Sequence, residues 1–334
     1  MKIFADLHQG ALSYSLHLFF EKRLGWELFN PIGMDWRTEG FWQYSQLEDT
    51  IHSYLDLKDD YKNKGTHFEH WDPDFEWTQK FLVLDQFKKM NLDAILCSVG
   101  SHEDTFFDLR QRLKPEAKLI RQIGNWNEEV DFNKSRNLMI SVGPFVCPEG
   151  INYVCYHQEF DTKDWKYIEP KNFKTIKTFI NCHHDSVDYD LWPIYRDALS
   201  EFKFLEHGIL GDDGNVSPQR AVREAMAGSG FIWQVKLGGE GFGHVIHNAY
   251  ALGRPCIVKG SYYRGKMAEP LLLDGVTCID LEKGSLGENI EKIRYFSEPV
   301  RFRQMSKNAY ARFKQVCDFD REEKGLREFL KRLI

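Results

Sequence analysis

An α/β fold in two domains is what this 334-residue sequence predicts, and three observations predict it. Short apolar runs of strand length alternate with helix-period segments in both halves of the chain, the rhythm of sheets covered by helices. The length suits two domains of ordinary size. In the second half, a glycine-rich loop with Gly238, Gly239, Gly241 and Gly243 runs straight into a helix pattern and then a short strand.

Lys2 to Leu7 reads as the first strand, with Asp6 near its end. Residues 11 to 24 follow as a helix with Leu12, Leu16, Phe19, Phe20 and Leu24 on one face, and Trp26 to Phe29 returns as a strand. The turn His8-Gln9-Gly10 lies at the carboxyl end of strand one, where open sheets take ligands; a helix start without a ligand reads equally well. No G-x-G-x-x-G follows, which weakens a dinucleotide-dehydrogenase reading. Residues 34 to 78 form an insertion dense in rings, Trp36, Trp42, Trp71 and Trp77 among them, with eleven acidic and four basic residues. The chain's net charge of −6 is therefore concentrated there. Rings stacking on sugar faces are one use of it, and packing onto the domain is the plainer one. His67, Glu69, His70, Asp72 and Asp74 show no defined ligand geometry, so no metal is assigned.

Residues 79 to 90 suit a helix, and Asp93 to Val99 a buried strand that ends in Gly100-Ser101-His102-Glu103-Asp104. Ser101 or Asp104 as a cap for a helix from Thr105 competes there with any ligand role. Arg110, Arg112, Lys114, Lys118 and Arg121 make a basic run, either a solvated face or a surface for an acidic acceptor. Lys118 to Ile123, Leu138 to Val142 and Tyr153 to Tyr156 complete the strands of this half, and Lys163 to Lys171 reads as a linker.

The second half repeats the rhythm. Thr175 to Ile180 is a strand ending at Asn181-Cys182-His183-His184-Asp185; a helix over 188 to 201 and a strand from Phe202 to Glu206 follow. Ser217 and Pro218 mark a helix start as N-cap and N1, and Gly230 to Val235 is the strand feeding the glycine loop. Beyond the loop, Phe242, Val245, Ile246, Ala249 and Leu252 share one helical face, and His244, His247 and Asn248 another. Gly253 and Pro255 stop that helix before the strand Cys256 to Val258. Cys278 to Leu281 is a further strand, and the chain is strongly helical from Pro299.

Composition excludes several classes. Hydrophobic residues at 42% suffice for two cores, yet no apolar run reaches membrane-span length, and no signal peptide is expected. Seven cysteines without a C-x-x-C read as reduced thiols of a cytoplasmic protein. The net negative charge argues against wholesale coating of nucleic acid.

The glycine loop carries the chemistry. Bare backbone N–H groups at a helix start suit a phosphate, and Glu240 beside them needs a different partner, for which sugar or ribose hydroxyls are natural. A tight turn before an ordinary buried helix is the competing reading. The segment E-G-F-G-H-V-I-H-N-A-Y-A-L-G-R-P-C-I-V from Glu240 resembles the E-x7-E segment of family 4-type retaining glycosyltransferases of the GT-B fold, roughly E-G-F-G-x-x-x-x-E-A-x-A-x-G-x-P-V-V. Asp274-Gly275 matches the D-G-x-T-G turn of that family.

The resemblance implies two Rossmann-like domains facing across a cleft. Residues 1–165 would form the acceptor side, 170–300 would bind the nucleotide sugar, and helices over 301–334 would return to the first domain. It implies that Glu240 contacts the transferred sugar, while Asn248 stands where a second glutamate would hold the ribose. Gly239, Gly241, Phe242, Gly243 and His244 would line the donor, with Lys236, Arg264, Lys266, Arg220 and His183 as candidates around the diphosphate. His102 would meet a sugar hydroxyl, Glu103 and Asp104 are the alternative acid/base groups, and His8, Gln9 and Gly10 lie on the acceptor side. The implied activity is hexosyltransferase-like: sugar passes from a nucleotide-diphosphate donor to a hydroxyl, with retention and without metal or resident cofactor. A hydroxylated DNA base is one alternative acceptor, because phage DNA glucosyltransferases share the fold. A nucleotide-sugar-binding protein without turnover is the alternative of another class.

Overall fold

The computed structural model describes residues 1–6, 10–32, 61–125, 128–143, 145–185, 188–236, 238 and 241–333. The chain divides into two units, residues 1–160 with 319–334 and residues 161–318.

The first unit is built on a nine-stranded sheet of β1 (Lys2–Ala5), β2 (Glu27–Pro31), β3 (Lys62–Asn63), β4 (Phe68–Asp72), β5 (Trp77–Leu82), β6 (Ala94–Cys97), β7 (Lys118–Ile123), β8 (Asn137–Ile140) and β9 (Asn152–Cys155). Their order is β3-β4-β5-β2-β1-β6-β7-β8-β9. All neighbours from β5 to β9 run parallel, while β4 lies antiparallel between β3 and β5. The later part of the acidic segment is thus the edge of the sheet rather than an appendage to it. Residues 79 to 82 are strand, not helix, because Trp77, Gln79 and Phe81 are buried in alternation with Thr78 and Lys80, a period of two. Only Leu84–Lys89 is helical in the expected 79–90 stretch.

Helix Gly10–His17, extended as a π-helix over Leu18–Arg23, links β1 to β2 and buries Leu12, Leu16, Phe19 and Phe20. The C-terminal helix Phe319–Lys331 buries Leu326, Phe329 and Leu330 in the same core as Ile3, Ala5 and Leu96. Burying aliphatic and aromatic side chains of this size contributes on the order of 2 kcal/mol each, which explains why a segment so distant in sequence closes this unit.

The second unit is a five-stranded, wholly parallel sheet of β10 (Thr175–Thr178), β11 (Lys203–Glu206), β12 (Phe231–Trp233), β13 (Cys256–Val258) and β14 (Cys278–Asp280), ordered β11-β10-β12-β13-β14. Trp192, Tyr195, Phe231, Trp233, Ile257, Ile279 and Phe302 share its core. Pro218, not Ser217, is the N-cap of the helix Gln219–Ala227. Helix Pro299–Val316, capped by the Glu298 carboxylate, buries Phe302 and Met305 in this core. It belongs to the second unit rather than to helices returning to the first, and the division falls at residue 318 instead of 300. Leu286–Phe296, a helix that sequence periodicity did not mark, starts on a capping box of Ser285 and Glu288.

Arg254, of the G-R-P turn, is fully buried and donates to the carbonyls of Ala227, Ile168 and Leu252 at 2.6–3.0 Å. One guanidinium thereby satisfies the last carbonyls of two helices. Burial lowers its pKa to about 10, which still leaves it charged. No helix among the described residues is long and apolar enough to cross a membrane.

Each sheet has one place where strand order reverses. In the first unit the chain moves from β1 to β2 on one side and continues from β6 on the other. In the second it moves from β10 to β11, then continues from β12 on the opposite side. Outside the carboxyl ends of strands at such a reversal, no crossover helix covers the sheet, so a crevice is left for a ligand.

Candidate functional site

At the reversal of the first sheet, Ala5 of β1 is paired with Leu96 of β6, which sets Asp6 beside Ser98. The buried Asp6 carboxylate accepts hydrogen bonds from Ser98 N at 2.7 Å, Ser98 Oγ at 2.6 Å and Val99 N at 2.9 Å. His102 Nδ1 lies 3.4 Å from the other side of this cluster, Asp6 Oδ2. In the tautomer with the ring proton on Nδ1, facing that carboxylate, Nε2 is an acceptor. His102 is only 1% exposed, and its Nε2 has no hydrogen-bond partner among the described residues. A buried ring nitrogen left open in this way has capacity for one further hydrogen bond.

The neighbouring acids are engaged. Glu103 accepts from Ser135 Oγ at 2.5 Å in a buried setting, and Asp104 pairs with Lys134 at 2.6 Å. Both stand in the first turn of the helix Glu103–Leu113, which begins two residues before Thr105 and has no side-chain cap, so neither Ser101 nor Asp104 caps it. Gly10 opens its helix beneath the Phe75 ring, which a Cβ there would meet at 2.6 Å. His8 and Gln9 lie outside the described residues.

The basic run from Arg110 to Arg121 is not one anionic-ligand surface. Arg121 is fully buried, paired with Glu128 and donating to the carbonyls of Cys97 and Gln122. Lys114 donates to the carbonyls of Lys88 and Met90, Arg110 to Ala117, and Arg112 to the Asp108 carboxylate. Backbone carbonyls, invisible in a charge pattern, account for most of these cations.

At the reversal of the second sheet, β12 leads through Lys236 into the glycine loop. Leu237, Gly239 and Glu240 lie outside the described residues. The loop is described again from Gly241, and Gly243 serves as N-cap of the helix His244–Ala251 at φ 85°, ψ 48°, a left-handed conformation that favours glycine. A glycine cap offers no side-chain oxygen to the first turn, and within that turn the Ile246 N–H already donates to the Gly243 carbonyl at 3.1 Å. The Gly243 carbonyl lies 2.9 Å from His247 Nδ1. The Phe242 ring stacks on His247, centroids 4.0 Å apart at 15°, and meets His244 edge-on at 4.9 Å. His247 is therefore a buried clamp on the loop and not a member of a ligand face.

His244 and Asn248 follow one turn apart. Burial lowers the His244 imidazole to about 4, so near neutral pH it hydrogen-bonds without a charge. Asn248 Oδ1 is enclosed and has no hydrogen-bond partner among the described residues. Of the expected cations, Lys266 is 6% exposed with its ammonium 3.3 Å from the Tyr262 ring centroid, and Lys236, three residues beyond the end of β12, is partly buried. Arg264 is exposed in the loop after β13, and Arg220 is exposed in the first turn of its helix. His183 is fully buried against Tyr189 and Trp192. Burial first, then neighbouring His184, lowers it to about 4, so it cannot supply the positive charge expected of it near a diphosphate. The structure thus brings Phe242, Gly243 and His244 into contact, sets Asn248 a turn beyond, and removes His183 from the cation set.

No family model matches the sequence, and no curated protein matches it either. Solved structures match along almost the whole chain. An alpha-glucosyltransferase in complex with UDP-glucose and DNA containing an abasic site is 11% identical, with TM-score 0.65 and 99% of each chain covered. Anabaena HepE in complex with UDP is 13% identical, with TM-score 0.60 and coverage of 99% of this chain and 100% of the other. A glycosyltransferase from Rickettsia africae is 13% identical, with TM-score 0.62 and coverage of 99% and 98%. At such identities the likeness is one of fold, and the fold is GT-B.

Proposed function

We propose that this GT-B chain is a glycosyltransferase, moving a sugar from a nucleoside-diphosphate donor to a hydroxyl acceptor. The observation that carries the reading is the glycine-led helix start at the reversal of the second sheet, with an enclosed Asn248 oxygen one turn inside it that has no partner among the described residues. A pyrophosphate is met there by oriented N–H groups, and a ribose hydroxyl has an acceptor waiting. The matching alpha-glucosyltransferase and HepE structures hold UDP-glucose and UDP, which makes a UDP-sugar the first donor to try and a hexose the first sugar.

In this reading the bond from the anomeric carbon to the phosphate oxygen breaks as a bond to the acceptor oxygen forms. The leaving pyrophosphate gathers negative charge, which the helix start and the Lys266 and Lys236 ammonium groups stabilise by fixed electrostatics. For transfer with retention, a phosphate oxygen takes the acceptor's proton on the same face. No protein base is then required, and His102 Nε2 orients a hydroxyl rather than ionising it. Glu240 keeps the sugar-contacting role that its motif implies. These electrostatics need no divalent ion at the transfer step.

A hydroxylated base in DNA is the second reading for the acceptor, favoured by the DNA in the alpha-glucosyltransferase complex. The partnered cations between Arg110 and Arg121 lend it nothing. The experiment is release of nucleoside diphosphate from UDP-, GDP- and ADP-sugars, with small hydroxyl acceptors and with hydroxymethylated DNA in parallel. Release with one donor class supports transfer, and its dependence on DNA decides the second reading. Tight UDP binding without release from any donor would instead leave a binding protein.

A further inference from the structure

The carboxyl ends of β10 and β11 hold a cluster that the donor reading does not use. His183 and His184 follow β10, Glu206 ends β11, and Asp212 lies in the turn beyond it. His184 Nε2 stands 2.7 Å from Glu206 Oε1 and 3.8 Å from Asp212 Oδ1, and these three ligand atoms lie within 4.8 Å of one another. His183 Nδ1 approaches the same Glu206 oxygen to 3.1 Å.

Those separations would suit hydrogen bonds, but the alignment does not. Neither nitrogen of the fully buried His183 makes a hydrogen bond among the described residues, and neither does Oε1 of Glu206, which is 3% exposed. A buried carboxylate oxygen without an aligned hydrogen bond is costly unless a positive charge compensates it. Ligand atoms around a tetrahedral zinc-class ion, with bonds of about 2.0–2.1 Å, stand roughly 3.3 Å apart. The observed 2.7, 3.1 and 3.8 Å bracket that spacing. One imidazole, two carboxylates and a further imidazole nitrogen form a donor set for a borderline divalent ion such as Zn²⁺ rather than for Mg²⁺ or Ca²⁺.

The backbone holds the donors in place. Glu206 N donates to Asp213 Oδ2 at 2.7 Å, and Asp213 N returns to Glu206 O at 3.0 Å, closing the turn that presents Asp212. A Cβ on Gly208 would strike Ile180 O at 2.5 Å, and one on Gly211 would strike Glu206 O at 2.3 Å. Glycine at 208 lets the loop after β11 touch the loop after β10, and glycine at 211 lets that loop fold back onto the end of β11.

We propose that His184, Glu206 and Asp212 bind a divalent transition-metal ion of the zinc class, with His183 Nδ1 as the nearest fourth donor. The ion ties the loop after β10, which borders the reversal of this sheet, to the edge strand β11. The site stands apart from the glycosyl-transfer reading, and its readout is binding rather than turnover.

The test strips the full-length chain with a chelator and titrates it with Zn²⁺ by calorimetry and with Co²⁺ by visible absorption. One equivalent per chain is expected, with Co²⁺ bands of the intensity that low coordination gives and a raised melting temperature. His184→Ala and Asp212→Asn alter side chains that are 37% and 71% exposed, so both variants keep the fold, and each should weaken that equivalent at least tenfold. His67→Ala, in the other unit, should leave it unchanged. Absence of a stoichiometric site tighter than micromolar, or binding that is the same in both loop variants, overturns the proposal.

Discussion

The two sheet reversals solve the problem of unsatisfied polar groups in opposite ways. In the first unit the described residues largely satisfy one another: Asp6 takes three short hydrogen bonds from the backbone and hydroxyl of the β6 exit, while His102 Nε2 beside them has no partner among the described residues. In the second, the glycine cap provides no side chain, and an enclosed Asn248 oxygen has nothing among the described residues to bond. A self-satisfied site is rigid before a ligand arrives, which suits orientation of a hydroxyl. A site with open groups gains most when a ligand supplies them, which suits tight binding of a charged donor.

The largest test of this contrast is Asp6→Ala. It strands two N–H groups and a hydroxyl in the interior, and the expected loss is about 3 kcal/mol or more of folding stability, read as a fall in the denaturant midpoint. Asp6→Asn, which keeps an acceptor oxygen, should lose less and chiefly disturb His102. A midpoint unchanged in Asp6→Ala would mean that this crevice is not held by its own hydrogen bonds.

Acid separates the regions next. The His244 pKa is lowered by burial from 6.5 to about 4. Between those values the unfolded chain binds a proton that the folded chain refuses, so stability falls as pH drops through the window and levels off below about 4. The loss should be on the order of 2 to 3 kcal/mol. Urea titrations of the parent and His244→Gln chains between pH 7 and 4 should diverge by about this amount, with the variant showing the flatter dependence. Parallel curves would place His244 in water.

Most of the architecture was legible in the sequence because periodicity and glycine punctuation are local. The strand from Lys118 to Ile123 and the helix and strand that follow Gly243 emerge almost residue for residue. Strand β5 was lost because the alternation of Trp77, Gln79 and Phe81 is brief and adjoins a true helix. The site was less legible, since its pairings are long-range. Asp6 meets Ser98 and His102 only because β1 and β6 are neighbours, and nothing local to either segment announces this. Arg121 and Arg254 look like surface cations until the carbonyls that bury them are in place. His183 looks like a basic ligand until its burial among aromatic rings is seen.

Asn248 gives the smallest effect and the sharpest one. A side chain that only supports the helix His244–Ala251 should cost stability when removed, because its packing goes with it. An enclosed oxygen waiting for a ligand should behave otherwise: Asn248→Ala removes a desolvated acceptor that has no partner among the described residues, so the melting temperature stays level or rises slightly. The deficit appears only on binding, where one lost hydrogen bond to a ribose hydroxyl weakens UDP by about tenfold, roughly 1.4 kcal/mol. Calorimetry with UDP, alongside melting curves without it, measures both halves. A variant that melts early and binds normally would make Asn248 a structural residue and take away the acceptor on which the donor reading relies.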